Sequence, residues 1–213
     1  MAQSSYEEVT AILAQCRISH FRQAFLDNEC DDSFLDIVED GDLRELGRRC
    51  EGRGEGAAAI VAYEASLEHE PESPEALNQL SALHQERREW ERYVRVQRRM
   101  REILVHDLGG SLTLTLRIAQ VLEEELHDPG DAIEELNRAD ELALELDSPE
   151  RARILSWQAR LAAQLERWGL LASVLEKQAR GNDDPAQAAA LWLERGQLER
   201  DRLRDRRAAI DSF

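Results

Sequence analysis

The residues best placed for metal chemistry are Cys16 and His20, which stand four positions apart. On a helix, side chains at i and i+4 share one face, and a thiolate beside an imidazole can hold Zn²⁺. A zinc site needs at least about three protein ligands, and no second pair of this kind lies nearby in the sequence. A buried cysteine beside a surface histidine is therefore the favoured interpretation, and neither a metal nor another cofactor is predicted.

Motifs for catalysis are not evident in the rest of the sequence. The remaining histidines stand singly at predicted turns and helix ends, at His69, His84, His106 and His127. The Gly-rich segment 52–56, GRGEG, is too short for a phosphate-binding loop and lacks its Lys-Ser/Thr end. No HExxH motif or Ser/His/Asp order is present. The sequence therefore predicts a protein that is not an enzyme.

The overall charge narrows the choice of partner. The 213 residues carry a net charge of −17, and an acidic body repels phosphate groups. Neither nucleic acid nor an anionic membrane is therefore an expected partner. Among the 27 basic residues only Lys177 is a lysine. Together with the abundance of Ala, Leu and Glu, this indicates a GC-rich and hence bacterial gene.

Cysteine usage and the first residues bear on the compartment. The three cysteines, Cys16, Cys30 and Cys50, are an odd number without a CxxC pair, which favours a reducing environment and free thiols. The first ten residues lack the basic and apolar regions of a signal peptide. No apolar run reaches the length of a membrane-spanning helix. We predict a cytoplasmic protein.

Two charged segments stand out from this background. The arginine-rich segment, 87–101, holds seven arginines and two glutamates with Trp90 and Tyr93 between them. Such a patch can bind an acidic peptide or RNA. The acidic segment, 123–150, holds twelve acids and one arginine, so that pairing of the two segments would give self-association. In both cases a solvated helix face is the favoured interpretation.

The elements that would position these residues are helix pairs. Residues 40–73 form two amphipathic segments separated by 52–56. The residues that mark the pattern are Leu43, Leu46, Gly47, Cys50, Ala59, Tyr63, Ser66 and Pro71. The pattern resembles the tetratricopeptide repeat (TPR), a unit of about 34 residues in two antiparallel helices. Cys50 replaces an aromatic residue of that family, and Ser66 replaces an alanine.

Further helix pairs follow from Pro74, at about 112–146, at 149–180 and from Pro185, with a linker at 107–111. Spacings of 34, 39, 39 and 38 residues separate the equivalent second-helix positions Ala59, Tyr93, Ala132, Leu171 and Ala209. The tyrosine at the second of these positions departs from the small residue that the family has there. Proline and short polar breaks separate the pairs, and Ser148 and Asp184 are predicted N-caps.

The resemblance implies an all-α fold, a superhelical array (α-solenoid) of antiparallel helix pairs with about five TPR-like units over residues 40–213. One such pair cannot bury its hydrophobic face alone, so neighbouring pairs must stack. The fifth pair lacks the polar outer helix that usually caps such arrays. We therefore expect the array to be truncated in its last repeat and to continue beyond Phe213.

The N-terminal residues have a second resemblance. Residues 12–47 look like the first four helices of a sterile alpha motif domain, with matches at Ile18, Phe21, Phe25, Asn28, Glu29, Asp42, Leu43, Leu46 and Gly47. The long fifth helix of that family does not follow. The next TPR-like unit begins 34 residues after Asp40, at Pro74, and this spacing favours assigning residues 42–47 to the first repeat. In that interpretation residues 1–39 form an N-terminal helical cap. The alternative is a sterile alpha motif-like module.

The TPR resemblance implies a function. TPR arrays bind peptides in a concave groove lined by the first helix of each pair. Outward positions on these helices form the predicted peptide-binding groove: Arg44, Arg48, Asn78, Arg117, Trp157 and Arg160. The Lys/Asn set of the family's carboxylate clamp is not matched, so that specificity does not carry over. We predict a non-catalytic scaffold or adaptor for a protein or peptide segment. The alternative is a regulatory arm of a larger sensor, kinase or other enzyme whose catalytic part lies outside this chain.

Overall fold

A computed structural model describes residues 40–104 and 106–212, and all regular structure in these residues is helical. The predicted N-terminal cap, residues 12–39 of its sterile alpha motif alternative and the Cys16–His20 pair lie outside the described residues. In chain order, the described elements are α1 (Asp40–Gly52), α2 (Gly56–His69), α3 (Pro74–Glu86), α4 (Trp90–Ile103), α5 (Leu108–Glu124), α6 (Pro129–Glu145), α7 (Glu150–Gln164), α8 (Trp168–Arg180), α9 (Pro185–Leu198), a π-helical turn (Glu199–Leu203) and α10 (Arg206–Ser212).

The helices pack against their neighbours in the chain and form two compact units, divided at Arg101. In unit 1, α1 packs on α2 and α2 on α3. In unit 2, contacts run from α5 to α6 and on through α7, α8, α9 and α10. We call α1, α3, α5, α7 and α9 the first helices of their pairs. The predicted all-α architecture of paired helices is confirmed.

The core of unit 1 depends on one close approach between helices. Tyr63 of α2 is fully buried, and its ring atoms lie 2.5–2.8 Å from where a Cβ would stand on Gly47 of α1. Tyr93, the departure from the family pattern, is also buried, and its ring meets the Trp90 ring edge to face at 5.9 Å. The second pair therefore accommodates a tyrosine where a small residue was expected.

Unit 2 buries two carboxylates of α6 with cations from neighbouring helices. Glu135 is fully buried, and it accepts a hydrogen bond from Arg101 of α4. Asp140, whose side chain is 4 % exposed, accepts from Arg151 Nε of α7 at 2.8 Å and from Lys177 Nζ of α8 at 2.6 Å. Buried charges are tolerated only when they are paired and hydrogen-bonded. The single lysine of the chain thus helps to join three helices.

Aspartate side chains act as N-caps and fix where several helices begin. Asp184 accepts a hydrogen bond from the backbone of the first turn of α9 at 2.9 Å, which confirms that predicted cap. Asp107 accepts from the backbone N–H of Gly110 at 2.8 Å, and α5 begins at Leu108. The predicted linker at 107–111 is therefore wrong. The cap satisfies an N–H that the first turn leaves free, and so it draws two glycines into the helix.

Several helix ends use a left-handed residue that is not glycine. The φ angles of these residues are 48–58°, at Arg88, His127, Asp147, Glu166 and Arg204. A side chain in this conformation costs roughly 1–2 kcal/mol, which is why glycine usually holds the position. The ends of these helices are therefore stabilised less than they would be by glycine.

Replacing Glu166 by glycine is expected to raise the free energy of unfolding by roughly 0.5–1 kcal/mol, because the strain is relieved at an exposed site. Urea denaturation followed by circular dichroism measures the change. Ala163→Gly, at an exposed position inside α7, is the matched control and should lower stability by about the same amount. Equal losses in both variants would contradict the argument from backbone strain.

Candidate functional site

All predicted groove residues within the described chain lie on first helices. They comprise two residues of α1, one each of α3 and α5, and two of α7: Arg44, Arg48, Asn78, Arg117, Trp157 and Arg160. The first helix of a pair therefore carries every candidate, as the pattern predicts. Their contacts fall into two groups, one in each unit.

In unit 1 the two arginines of α1 reach residues at and before the start of α3. Arg44 Nη1 lies 2.6 Å from Glu70 Oε2 and donates to Ser73 Oγ at 2.8 Å. Arg48 Nη1 lies 2.6 Å from Glu75 Oε1, and Arg44 Nε lies 3.7 Å from the other oxygen of the same carboxylate. Glu75 thus holds both arginines and links two consecutive first helices.

In unit 2 three N–H donors of α7 converge on one carboxylate of α5. Arg160 Nη1 and Nη2 donate to Glu123 Oε1 and Oε2 at 2.6 and 2.9 Å, and Trp157 Nε1 donates to Oε2. The hydrogen bonds from Arg160 lower the pKa of Glu123, against the opposing effect of burial, and Trp157 adds to the lowering. The carboxylate is therefore charged at neutral pH. The Arg160 side chain remains 56 % exposed.

The contacts described above include neither Asn78 nor Arg117, which are exposed on α3 and α5. The structure therefore brings together Arg44 with Arg48, and Trp157 with Arg160. Each of these pairs shares a glutamate from a neighbouring first helix. In each unit, arginine side chains on a partly exposed polar surface already hold carboxylates.

Unit 1 also contains a cleft of about 240 Å³ between the end of α1, the turn that follows it and α3. Its lining combines two carboxylates and an amide with small and apolar groups: Glu51, Glu86, Gln79, Ala82, Leu83, Gly54 and Gly56. The Arg87 guanidinium lies at its edge, with Nη1 3.8 Å from the position of a Cβ on Gly56.

The Glu51 carboxylate of the cleft lies beside the phenol of Tyr63. Burial raises the pKa of Tyr63, and the negative charge of Glu51 and a hydrogen bond to its side chain raise the pKa further. The phenol is therefore neutral and acts as a hydrogen-bond donor toward this carboxylate.

The chain is similar to tetratricopeptide repeat proteins of known structure. One is YrrB, described as a TPR protein with an unusual peptide-binding site, at 15% identity over 90% of this chain and 88% of that chain, with a TM-score of 0.41. Another is PilF of Pseudomonas aeruginosa, at 13% identity over 99% and 89%, with a TM-score of 0.40. A third is the C-terminal part of a TPR repeat-containing protein from Cytophaga hutchinsonii, at 15% identity over 98% and 87%, with a TM-score of 0.42. No family model and no curated protein sequence matches the chain.

Sequence reasoning missed the acidic partners of the TPR-like first helices. Glu75 and Glu123 were not singled out, although each contacts a predicted groove residue. The contacts span 27 positions from Arg48 to Glu75 and 37 positions from Glu123 to Arg160. Only the second of these separations is close to the repeat length, so a comparison of charges one repeat apart could indicate Glu123 but not Glu75.

The arginine-rich segment is less available than its sequence indicates. Arg87 Nε lies 2.8 Å from Glu89, and Arg92 lies 3.7 Å from the same carboxylate. Arg101 is bound to a buried carboxylate, and Tyr93 is buried. One of its two aromatic residues therefore belongs to the core rather than to an exposed binding surface.

Among the described residues, no three His, Cys, Asp or Glu side chains are grouped as metal ligands would be. None of the described helices combines the length and the apolar character needed to cross a bilayer.

Proposed function

We propose that the protein is a non-catalytic scaffold that binds a protein or peptide segment on the surface formed by its first helices. One observation carries the proposal. Consecutive first helices meet through oppositely charged side chains, Arg48 with Glu75 in unit 1 and Arg160 with Glu123 in unit 2. Within each unit these helices therefore offer a shared polar surface on which an extended segment can lie.

The chemistry of that surface suits an acidic segment. An arginine fork binds a carboxylate through two parallel hydrogen bonds, and a tryptophan such as Trp157 gives a large contact at low entropic cost. Each fork already holds a glutamate, so an incoming carboxylate must replace it. The Glu123 side chain is 20 % exposed and accepts from both Nη atoms of Arg160 and from Trp157 Nε1, so replacing it means separating it from three donors. The Arg48–Glu75 pair, whose side chains are 48 % and 46 % exposed, is worth only about 0–1 kcal/mol and exchanges more easily.

Alanine at Arg44, Arg117 and Arg160 together is expected to abolish partner capture while helicity is retained, because the three changes remove guanidinium groups from α1, α5 and α7. The matched control replaces three exposed arginines of second helices, at Arg92, Arg95 and Arg180. Captured protein is quantified from an extract with the immobilised full chain. A photo-crosslinking residue at the exposed position Asn78 reports whether the captured chain touches the first-helix surface.

The two triple variants separate the alternatives. Loss of capture in the first-helix variant alone supports the proposal. Undiminished capture there, with loss in the variant at Arg92, Arg95 and Arg180, would place the binding surface on the second helices and refute it. Circular dichroism of both variants shows whether a loss comes from unfolding instead.

A further inference from the structure

We infer that two copies of the chain associate through unit 2, with an apolar patch at the end of α6 on one copy placed on an apolar patch around α10 of the other. Among the described residues, the exposed large hydrophobic side chains all lie in unit 2: Leu144, Leu146, Leu193, Leu203 and Ile210. Four of them form the two patches, and the charges around the two patches are opposite in sign. Neither patch includes a groove residue, so the association goes beyond the proposed function.

The α6 patch consists of Leu144, which is 58 % exposed, and Leu146. Residues 139–150 contain no basic residue. Glu141, Leu144 and Glu145 share one face of the helix, because they stand at i, i+3 and i+4. The exposed acids near the two leucines in the chain are Glu141, Glu145 and Asp147. An apolar contact here is therefore surrounded by negative charge.

The α10 patch consists of Leu203 and Ile210, and the isoleucine is 72 % exposed. Leu203 ends the π-helical turn, and Ile210 lies on α10, which packs against that turn. The Ser212 hydroxyl fixes this packing, since it donates to the Glu199 carboxylate at 2.8 Å. The two apolar side chains therefore lie on elements that are held together.

Arginine surrounds the α10 patch in a chain that is otherwise acidic. Residues 199–213 hold five arginines and four acids, whereas the whole chain has a net charge of −17. Three of the four acids are engaged within unit 2. Asp201 pairs with Arg200 at 2.6 Å, Asp205 accepts from the first turn of α10 at 3.0 Å, and Glu199 is buried. The other exposed arginines of this segment are Arg202, Arg204 and Arg207.

This opposition of charge makes a second copy a suitable partner for both patches. Exposed groups of apolar side chains mark contact surfaces, and complementary charge around them directs which surfaces meet. Contact between identical patches would instead bring like charges together. The net charge of −17 opposes association at long range. At about 0.15 M salt, however, the Debye length is only about 8 Å, so the charges in contact dominate.

The patches are not partners of one another within the packing of one copy. α6 packs on α5 and α7, whereas α10 packs on α9 and the π-helical turn. Each patch offers only two large side chains, and a stable interface buries about 800 Å² on each partner. We therefore expect a weak association, with a dissociation constant on the order of 100 µM.

Sedimentation equilibrium of the full chain tests the association directly. The average mass should rise with protein concentration between about 10 µM and 1 mM, a range that brackets the expected dissociation constant. The measurement is made at about 0.15 M salt, where long-range repulsion is screened. A chain that stays monomeric over the whole range would overturn the inference.

Three glutamine variants show which side chains are responsible. Leu144→Gln and Ile210→Gln each remove the more exposed apolar side chain of one patch, and each should weaken association by about tenfold or more. Leu193→Gln makes the same change at an exposed leucine of α9 outside both patches and should leave association unchanged. Circular dichroism checks that all three variants are folded. Equal weakening by all three would indicate unspecific association and contradict the assignment of the patches.

A mixture of the two patch variants tests which patches meet. Leu144→Gln keeps the α10 patch, and Ile210→Gln keeps the α6 patch, so neither variant alone has both members of the contact. The mixture has both, and we expect it to associate with a dissociation constant close to that of the wild type. If the mixture does not recover, or if Leu144→Gln alone associates as the wild type does, the α6 patch of one copy does not bind the α10 patch of another.

Discussion

Replacing Gly47 by alanine is expected to lower the free energy of unfolding by roughly 2–3 kcal/mol, the cost of forcing extra atoms into a filled core. The added Cβ would stand 2.5 Å from Cζ of Tyr63 and within 2.8 Å of both Cε atoms. The ring is rigid and fully buried, so it cannot swing aside. Alanine gains about 1 kcal/mol over glycine in helix propensity, which is smaller than the clash. Urea denaturation followed by circular dichroism gives the difference.

Gly41→Ala is the matched control for this prediction because it lies on the same helix with nothing within 4 Å of the added Cβ. It should leave stability unchanged or raise it by up to about 1 kcal/mol. Adding Tyr63→Leu to Gly47→Ala removes the outer ring atoms. The double variant should then be less destabilised than the sum of the single changes. If the two alanine variants stabilise the protein alike, α1 and α2 do not approach as closely as described.

The helix pairs could be predicted because the residues that define the repeat pattern are close together in the sequence and recur at regular intervals. Leu46-Gly47 and Tyr63 recur at positions where the family pattern places them, and the described α1 and α2 meet at those residues. The linker prediction at 107–111 failed for a local reason as well. The two glycines on their own indicate a break in the helix. The side chain of Asp107 caps α5 ahead of them, so the glycines lie within its first turn.

The chemistry of the surface could be predicted only in part. The arginines of the first helices follow from the repeat, but the glutamates they hold depend on how far each helix is shifted along its neighbour. The irregular repeat lengths of the sequence hide that register. The cleft is harder still to predict, since its lining residues come from the end of α1, from the turn after it and from α3. No spacing in the sequence indicates that Glu51 and Glu86 line one cavity.

The buried carboxylate of Asp140 leads to a prediction about acid stability. Burial is the largest single influence and raises the pKa of Asp140, but the hydrogen bonds and charges of Lys177 and Arg151 together hold it below its ordinary value. A carboxyl whose pKa is lower in the folded state stabilises the protein above its unfolded-state pKa, near about 3.9. That contribution is lost as the pH falls through the folded-state pKa.

Asp140→Asn keeps the size of the side chain and removes its charge, so it leaves Lys177 and Arg151 without a carboxylate. We expect a loss of roughly 2–3 kcal/mol in the free energy of unfolding at pH 7, below the upper range for a buried pair because both cations are partly exposed. The gap between the two proteins should narrow steadily from about pH 5 to pH 3, since the wild-type carboxyl becomes protonated in the unfolded chain and then in the folded one. Urea denaturation at a series of pH values measures this difference in the free energy of unfolding between the wild type and Asp140→Asn.

Glu141→Gln, at the exposed neighbouring position, is the control and should differ little from the wild type in its free energy of unfolding at any pH. A gap for Asp140→Asn that stays constant down to pH 3 would mean that lost packing, rather than the ion pairs with α7 and α8, accounts for the destabilisation.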